Sequence, residues 1–131
     1  MALIQFTAKD LLRDKIVDPA MYHVHIDECS NGEASKDGKS INYVVEATII
    51  KNADNGSVEF AGVPLTWNFN SKAIGFMKGL FEALGETVTE TSRFDTNALS
   101  GRDVEVQVLN DTYNNKMQNK VQHNYRKVRT A

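Results

Sequence analysis

The chain has 131 residues, 41% of them hydrophobic and 24% charged, which is enough for one core and too little for two independently folded domains. A formal net charge of −2 argues against a broadly basic exterior, and the single cysteine, Cys29, excludes an internal disulfide, a paired-cysteine zinc ribbon and a redox pair. No apolar run approaches the roughly 20 residues needed to span a bilayer, so a soluble protein in a reducing, cytoplasmic setting is expected.

The apolar start, residues 1–6, is followed closely by Lys9, Asp10, Arg13, Asp14 and Lys15 without a small-residue cleavage site, so no secretion signal is expected. Charge is uneven along the chain. Residues 110–131 carry +4, from Lys116, Lys120, Arg126, Lys127 and Arg129 against Asp111, which leaves −6 on residues 1–109.

In chain order, Thr7 is placed to cap a short helix through about Asp14, with Leu11 and Leu12 against the body. From Met21 the pattern alternates, Tyr22, Val24 and Ile26 on one face and Met21, His23, His25 and Asp27 on the other, which predicts a first strand. A polar stretch, residues 30–40, predicts a long loop. The second strand sets Tyr43, Val45, Ala47 and Ile49 against Val44, Glu46, Thr48 and Ile50. Asn55 and Gly56 then predict a tight hairpin turn. Val58, Phe60, Val63, Leu65, Trp67 and Phe69 predict a third strand, bent at Gly62 and Pro64.

Asn70 or Ser71 can cap a helix in which Ile74, Met77, Leu80, Phe81 and Leu84 recur at helical spacing, and Gly85 ends it. Beyond Gly101, Val104, Val106 and Val108 alternate in a fourth strand. A loop over residues 110–119 and a last strand from Val121 to about Val128 complete the order β-β-β-α-β-β. That order is the one an oligonucleotide-binding (OB) barrel requires, five strands closing on themselves with a helix plugging one end. It also fits other α+β sandwiches. The expected fold is therefore mainly β, a single OB-like five-stranded barrel domain over residues 1–131.

Several segments carry a further likeness: Tyr22, His23, Val24, His25 and Ile26; Ser35, Lys36, Asp37, Gly38 and Lys39; Lys72 to Phe76 through Ala83, Leu84 and Gly85; and Phe94, Asp95, Leu99, Gly101, Arg102 and Val104. In this order they resemble a family of small phage-encoded single-stranded-DNA-binding proteins and their relatives in phage replication modules. The resemblance implies an OB fold that binds displaced single strands during replication or recombination. Many such proteins end in an acidic tail that recruits partner enzymes. This chain instead ends in residues 124–131 with Arg126, Lys127 and Arg129, so recruitment through a tail is not expected.

Single-strand binding without sequence preference needs cations that follow phosphates and flat rings on which bases stack. OB folds grip mainly with the loops joining strands one to two and four to five. The first loop offers Lys36 and Lys39. The second offers Tyr113 and Lys116, with Lys120 at the start of the last strand. Phe60 and Trp67 are weaker candidates, since an aromatic in a strand before the plugging helix is more often core than platform, and Tyr125 and Arg126 depend on the parity of the last strand. His23 and His25 share a face with Asp27, a spacing that could serve a metal, but Cys29 and His123 lie elsewhere. No metal site is expected, and on a groove face the imidazoles would touch bases instead.

No nucleophile motif, phosphate-binding loop or dinucleotide turn is present, so neither an enzyme nor a cofactor is expected. The rival expectation, prompted by the acidic body, is a module that binds a replication or recombination protein and touches no nucleic acid. Edge strands and the apolar start favour pairing of chains without choosing between monomer and homodimer.

Overall fold

A computed structural model of the chain describes residues 3–13, 15–34, 41–71, 75–92, 94 and 96–128. It is mainly β. The elements are α1 (Ala8–Leu12), β1 (Ala20–Ala34), β2 (Ile41–Asn52), β3 (Pro64–Asn70), α2 (Gly75–Ala83), a 3-10 turn (Thr96–Ala98), β4 (Asp103–Tyr113) and β5 (Lys116–Arg126).

The alternation in sequence sets which face of each strand is buried. Tyr22, Val24 and Ile26 of β1, Val45, Ala47 and Ile49 of β2, Leu65, Trp67 and Phe69 of β3 and Val104, Val106 and Val108 of β4 are all buried in one core. Each fully buried apolar side chain contributes about 1.5–3 kcal/mol. A one-residue slip would turn a whole set outward, so this face fixes the register.

All pairings are antiparallel, in the order β3-β2-β1-β4-β5. β1 is the shared central strand. Its pairing with β2 is irregular between His23 and Val24, between Ile26 and Glu28, and between Asn31 and Ala34, and each such bulge adds bend and twist. Laid flat, the edge strands β3 and β5 would be four inter-strand spacings apart, about 19 Å. Instead the ring of Phe69 lies 5.0 Å from that of His123, and Trp67 lies 6.5 Å from Tyr125. The sheet is therefore strongly curled, and because the strands alternate in direction β3 and β5 run the same way along the seam. No ladder joins them, so the closed barrel expected from the order of elements is not what the backbone forms. The sheet remains open at a seam bridged by rings.

α2 packs on β5 and β4 beneath this seam, burying Met77, Leu80 and Phe81. Gly85 (φ 92°) ends it as expected, with the Glu86 N–H donating to the Phe81 carbonyl at 3.0 Å. Arg102 Nη2 donates to the Leu84 carbonyl at 2.7 Å, placing a cation at the helix C-terminus. Ile74, the expected first core position, lies outside the described residues. Ser71 spends its hydroxyl on the Ile41 N–H, tying β3 to β2.

Several boundaries differ from those the sequence suggested. β1 runs through the polar stretch to Ala34, because ladder hydrogen bonds need no apolar side chains. β3 starts only at Pro64: Val58 is exposed, and Phe60 sits in the preceding turns, half-buried edge-on against Tyr22. The Asn-Gly turn is wider than a two-residue hairpin, with the Asn52 N–H donating to the Ser57 carbonyl. α1 carries the expected cap as a full capping box between Thr7 and Asp10. Leu12 packs toward the body and Leu11 is exposed.

Glu105 is the one buried charged side chain in the described core, 3% exposed. Arg126 Nε donates to its Oε1, and Arg126 Nη2 donates to Asp54 at 2.9 Å. The guanidinium thus ties β5 to β4 and to the β2–β3 turn. Replacing Arg126 with Met should lower unfolding stability by about 2 kcal/mol, less than the about 3–5 kcal/mol of a fully enclosed pair because Arg126 keeps part of its side chain in water. Urea denaturation of the two proteins measures this directly.

Candidate functional site

The residues 110–119, expected as a loop, are mostly strand. β4 and β5 continue beyond the core as a hairpin arm whose pairing runs from Asn110 opposite Asn119 to Tyr113 opposite Lys116. Only Asn114 and Asn115 form the turn, at φ 52° and 63°. Two consecutive left-handed residues define the mirror-image turn that matches strand twist, and Asn tolerates that conformation better than other side chains. The Asn-Asn pair was the available signal. It is masked in the sequence because an arm with no core face shows no apolar alternation.

The arm stands beside the outer surface of β2 and β3 and encloses a cleft of about 710 Å³. Tyr113, Asn114, Lys116 and Met117 line one wall, while Glu46, Pro64 and Thr66 line the other. Asp27 and the N-terminal residues Asp10, Arg13 and Ile16 also border it. A smaller cleft of about 420 Å³ continues along the seam between Thr66 and Trp67 on one side and Asp111, Gln118 and Lys120 on the other. Tyr113 borders both and is 67% exposed. Asn119 anchors the arm to the N-terminal segment, accepting from the Val17 N–H at 3.0 Å and donating to the Lys15 carbonyl at 2.8 Å.

The structure therefore brings together Tyr113, Lys116 and Lys120, with Trp67 at the back of the smaller cleft. Lys120 also pairs with Asp111 at 3.7 Å. Trp67 is 5% exposed, and its indole nitrogen is buried without a well-formed hydrogen bond, so it presents no platform for a base. Lys36 and Lys39 lie outside the described residues. Phe60 packs on Tyr22, away from either cleft. Tyr125 turns into the seam against Trp67, Phe69 and Gly79. Burial pushes its hydroxyl well above the ordinary value, the Trp67 indole opposing this in part. His123, whose Nδ1 lies 3.1 Å from that hydroxyl, is lowered by burial. Arg126 is held by Glu105 and Asp54.

His23 and His25 do not line the clefts. They share one carboxylate: His23 Nε2 is 2.7 Å from Asp103 Oδ2, and His25 Nδ1 is 2.7 Å from Oδ1. A carboxylate accepts only, so both of these nitrogens carry protons. Antiparallel pairing of His25 with Asp103 creates the group, which is why the pairing of β1 with β4 had to be known to find it. Among the described residues no cluster of three or more His, Cys, Asp or Glu can hold a metal ion. Asp27, Glu46 and Thr66 were likewise missed as cleft residues, since only the lean of the arm places them opposite Tyr113.

Compared with known protein families and with curated proteins, the chain matches none. Among the described residues no helix is long and apolar enough to cross a membrane.

Partial burial works to raise the Asp103 carboxyl, but the hydrogen bonds and charges of His23 and His25 outweigh it, and the group sits below its ordinary value of 3.8. A carboxyl depressed in the folded state adds stability that is present above its unfolded value and lost as pH falls through the folded one. The stability of the wild type over Asp103→Asn should therefore be full above pH 3.8 and shrink on further acidification. Thermal unfolding of both proteins across the acid range checks the sign.

Proposed function

We propose that the protein is a non-catalytic single-stranded-DNA-binding protein of the OB type, acting in phage DNA replication or recombination in the host cytoplasm. The observation that carries this reading is the cleft between the hairpin arm and the outer face of β2 and β3, with the exposed Tyr113 ring and Lys116 on its arm side. Stacking and phosphate neutralisation are the two interactions that hold a bare strand irrespective of sequence, and these two side chains offer one of each. The fold supports it too: the order β3-β2-β1-β4-β5, a central strand shared by both halves, same-direction edge strands and a helix between β3 and β4 are what an OB barrel with one seam left open would have. The segment resemblance given above supplies the phage setting. Strand-binding partners among replication or recombination proteins belong to the same reading.

A second reading is favoured by one feature. Asp10, Asp27 and Glu46 border the cleft alongside Arg13 and Lys116, a mixed lining that suits a peptide segment of a replication protein as well as a polyanion. The two readings part on oligonucleotide retention.

Fluorescent single-stranded DNA, duplex DNA and RNA oligomers titrated at two salt concentrations test this. Affinity should favour the single strand and fall with salt, with a log–log slope of about −1.4 if Lys116 and Lys120 each neutralise one phosphate. Tyr113→Ala should cost about 1–3 kcal/mol of binding, the value of one stacked base, with unfolding stability unchanged. Absence of retention for every oligomer, alongside capture of a protein partner, would replace this reading with the second.

A further inference from the structure

Residues 3–7 lie outside any helix or strand, carry no charge and lead into α1 through the Thr7 cap, itself in the extended region. Leu3, Ile4 and Phe6 stand 87%, 81% and 70% exposed, although side chains of this kind gain most from leaving water. Three large apolar groups so close together on one short segment form half of an interface. The other half is on the same molecule. Edge strands β3 and β5 flank the main cleft with no ladder between them, so each has one edge without a partner strand, the position an added strand takes. Asp10, Arg13 and Ile16 border that cleft, and Pro64, Tyr113 and Met117 give its mixed lining an apolar part, so the N-terminal arm of residues 3–6 leaves the body beside a slot with room for apolar side chains. Within one chain the slot is not filled by this arm: α1 is fixed by its capping box and by Leu12 against Gly62, and the three side chains remain in solvent.

We propose that residues 3–6 of one chain lie as an added strand in the seam cleft of a second copy, which returns the same contact. A donor segment and an acceptor slot on one chain allow a reciprocal, closed two-fold dimer. A lipid surface is the other taker for an apolar segment, but residues 3–7 hold no cation and the charges that follow, Lys9 and Arg13 against Asp10 and Asp14, cancel, so nothing there draws the segment to anionic headgroups. The regulatory consequence rests on the strand-binding reading: arm and single strand share one cleft, so self-association and strand binding compete.

Sedimentation velocity on the full chain, wild type and the triple variant Leu3→Ser, Ile4→Ser, Phe6→Ser, tests the dimer, with circular dichroism confirming that both are folded. The wild type should sediment as a dimer at micromolar concentration and the variant as a monomer. Adding an oligothymidylate should dissociate the wild-type dimer, and where half the clefts are filled by arms the variant should bind the oligomer about twofold more tightly. A monomeric wild type, an equally dimeric variant, or a monomer that sediments with anionic vesicles through residues 3–6 would each overturn the proposal. Loss of the dimer in the variant, with no oligomer bound by either protein, would uphold the dimer and defeat the strand-binding reading instead. Oligomer binding that leaves the dimer intact would overturn the cleft as the docking site.

Discussion

The curl of β1 is the constraint from which the rest of the molecule follows. This strand pairs with β2 along its length and with β4 over its first half, and its three irregularities let one strand serve two differently directed halves of the sheet. Without that bend, β3 and β5 would be too far apart for Trp67 and Phe69 to reach Tyr125 and His123. The ring contacts hold the seam where α2 packs beneath it. Farther along, where β5 climbs into the hairpin arm, the edges are not bridged and the clefts open. Fold and candidate site are thus two ends of one seam, closed by aromatic packing at one and open at the other.

Polar side chains do much of the fastening outside the apolar interior. Arg126, a candidate for touching DNA from sequence, ties three segments together through Glu105 and Asp54. Burying a carboxylate is costly unless a cation accompanies it, so the position of Glu105 on a core strand dictates the role of Arg126. Asp103 similarly gathers His23 and His25, leaving the imidazoles to join β1 to β4 and not to face the cleft. Removing these residues from the binding surface concentrates the proposed interaction on the arm.

How much was readable in the sequence followed from whether a residue faced the core. Tyr22, Val24 and Ile26, or Val104, Val106 and Val108, announce their strands because period-two burial writes itself as alternation. The end of α2 was equally readable from Gly85. The arm was not: apart from Tyr113 and Met117, Asn110 to Gln118 are polar on both faces, and a ladder held by backbone hydrogen bonds looks like a loop in composition. Tyr113 and Lys116 stand out on chemical grounds, and the structure places them opposite each other on a paired hairpin and not in an unpaired loop. The partners across the cleft, Glu46 and Thr66, and the Arg126 and Asp103 clusters required knowledge of which strands neighbour which, information that no local pattern contains.

On the proposed reading, the cleft beneath the arm receives a bare polynucleotide. Amide chemical shifts recorded while an oligothymidylate is added test it most directly. Perturbations should concentrate at Tyr113, Lys116 and Lys120 and, across the cleft, at Glu46 and Thr66. Perturbations centred on His23, His25 and Asp103, or a spectrum unchanged at saturating oligomer, would contradict it.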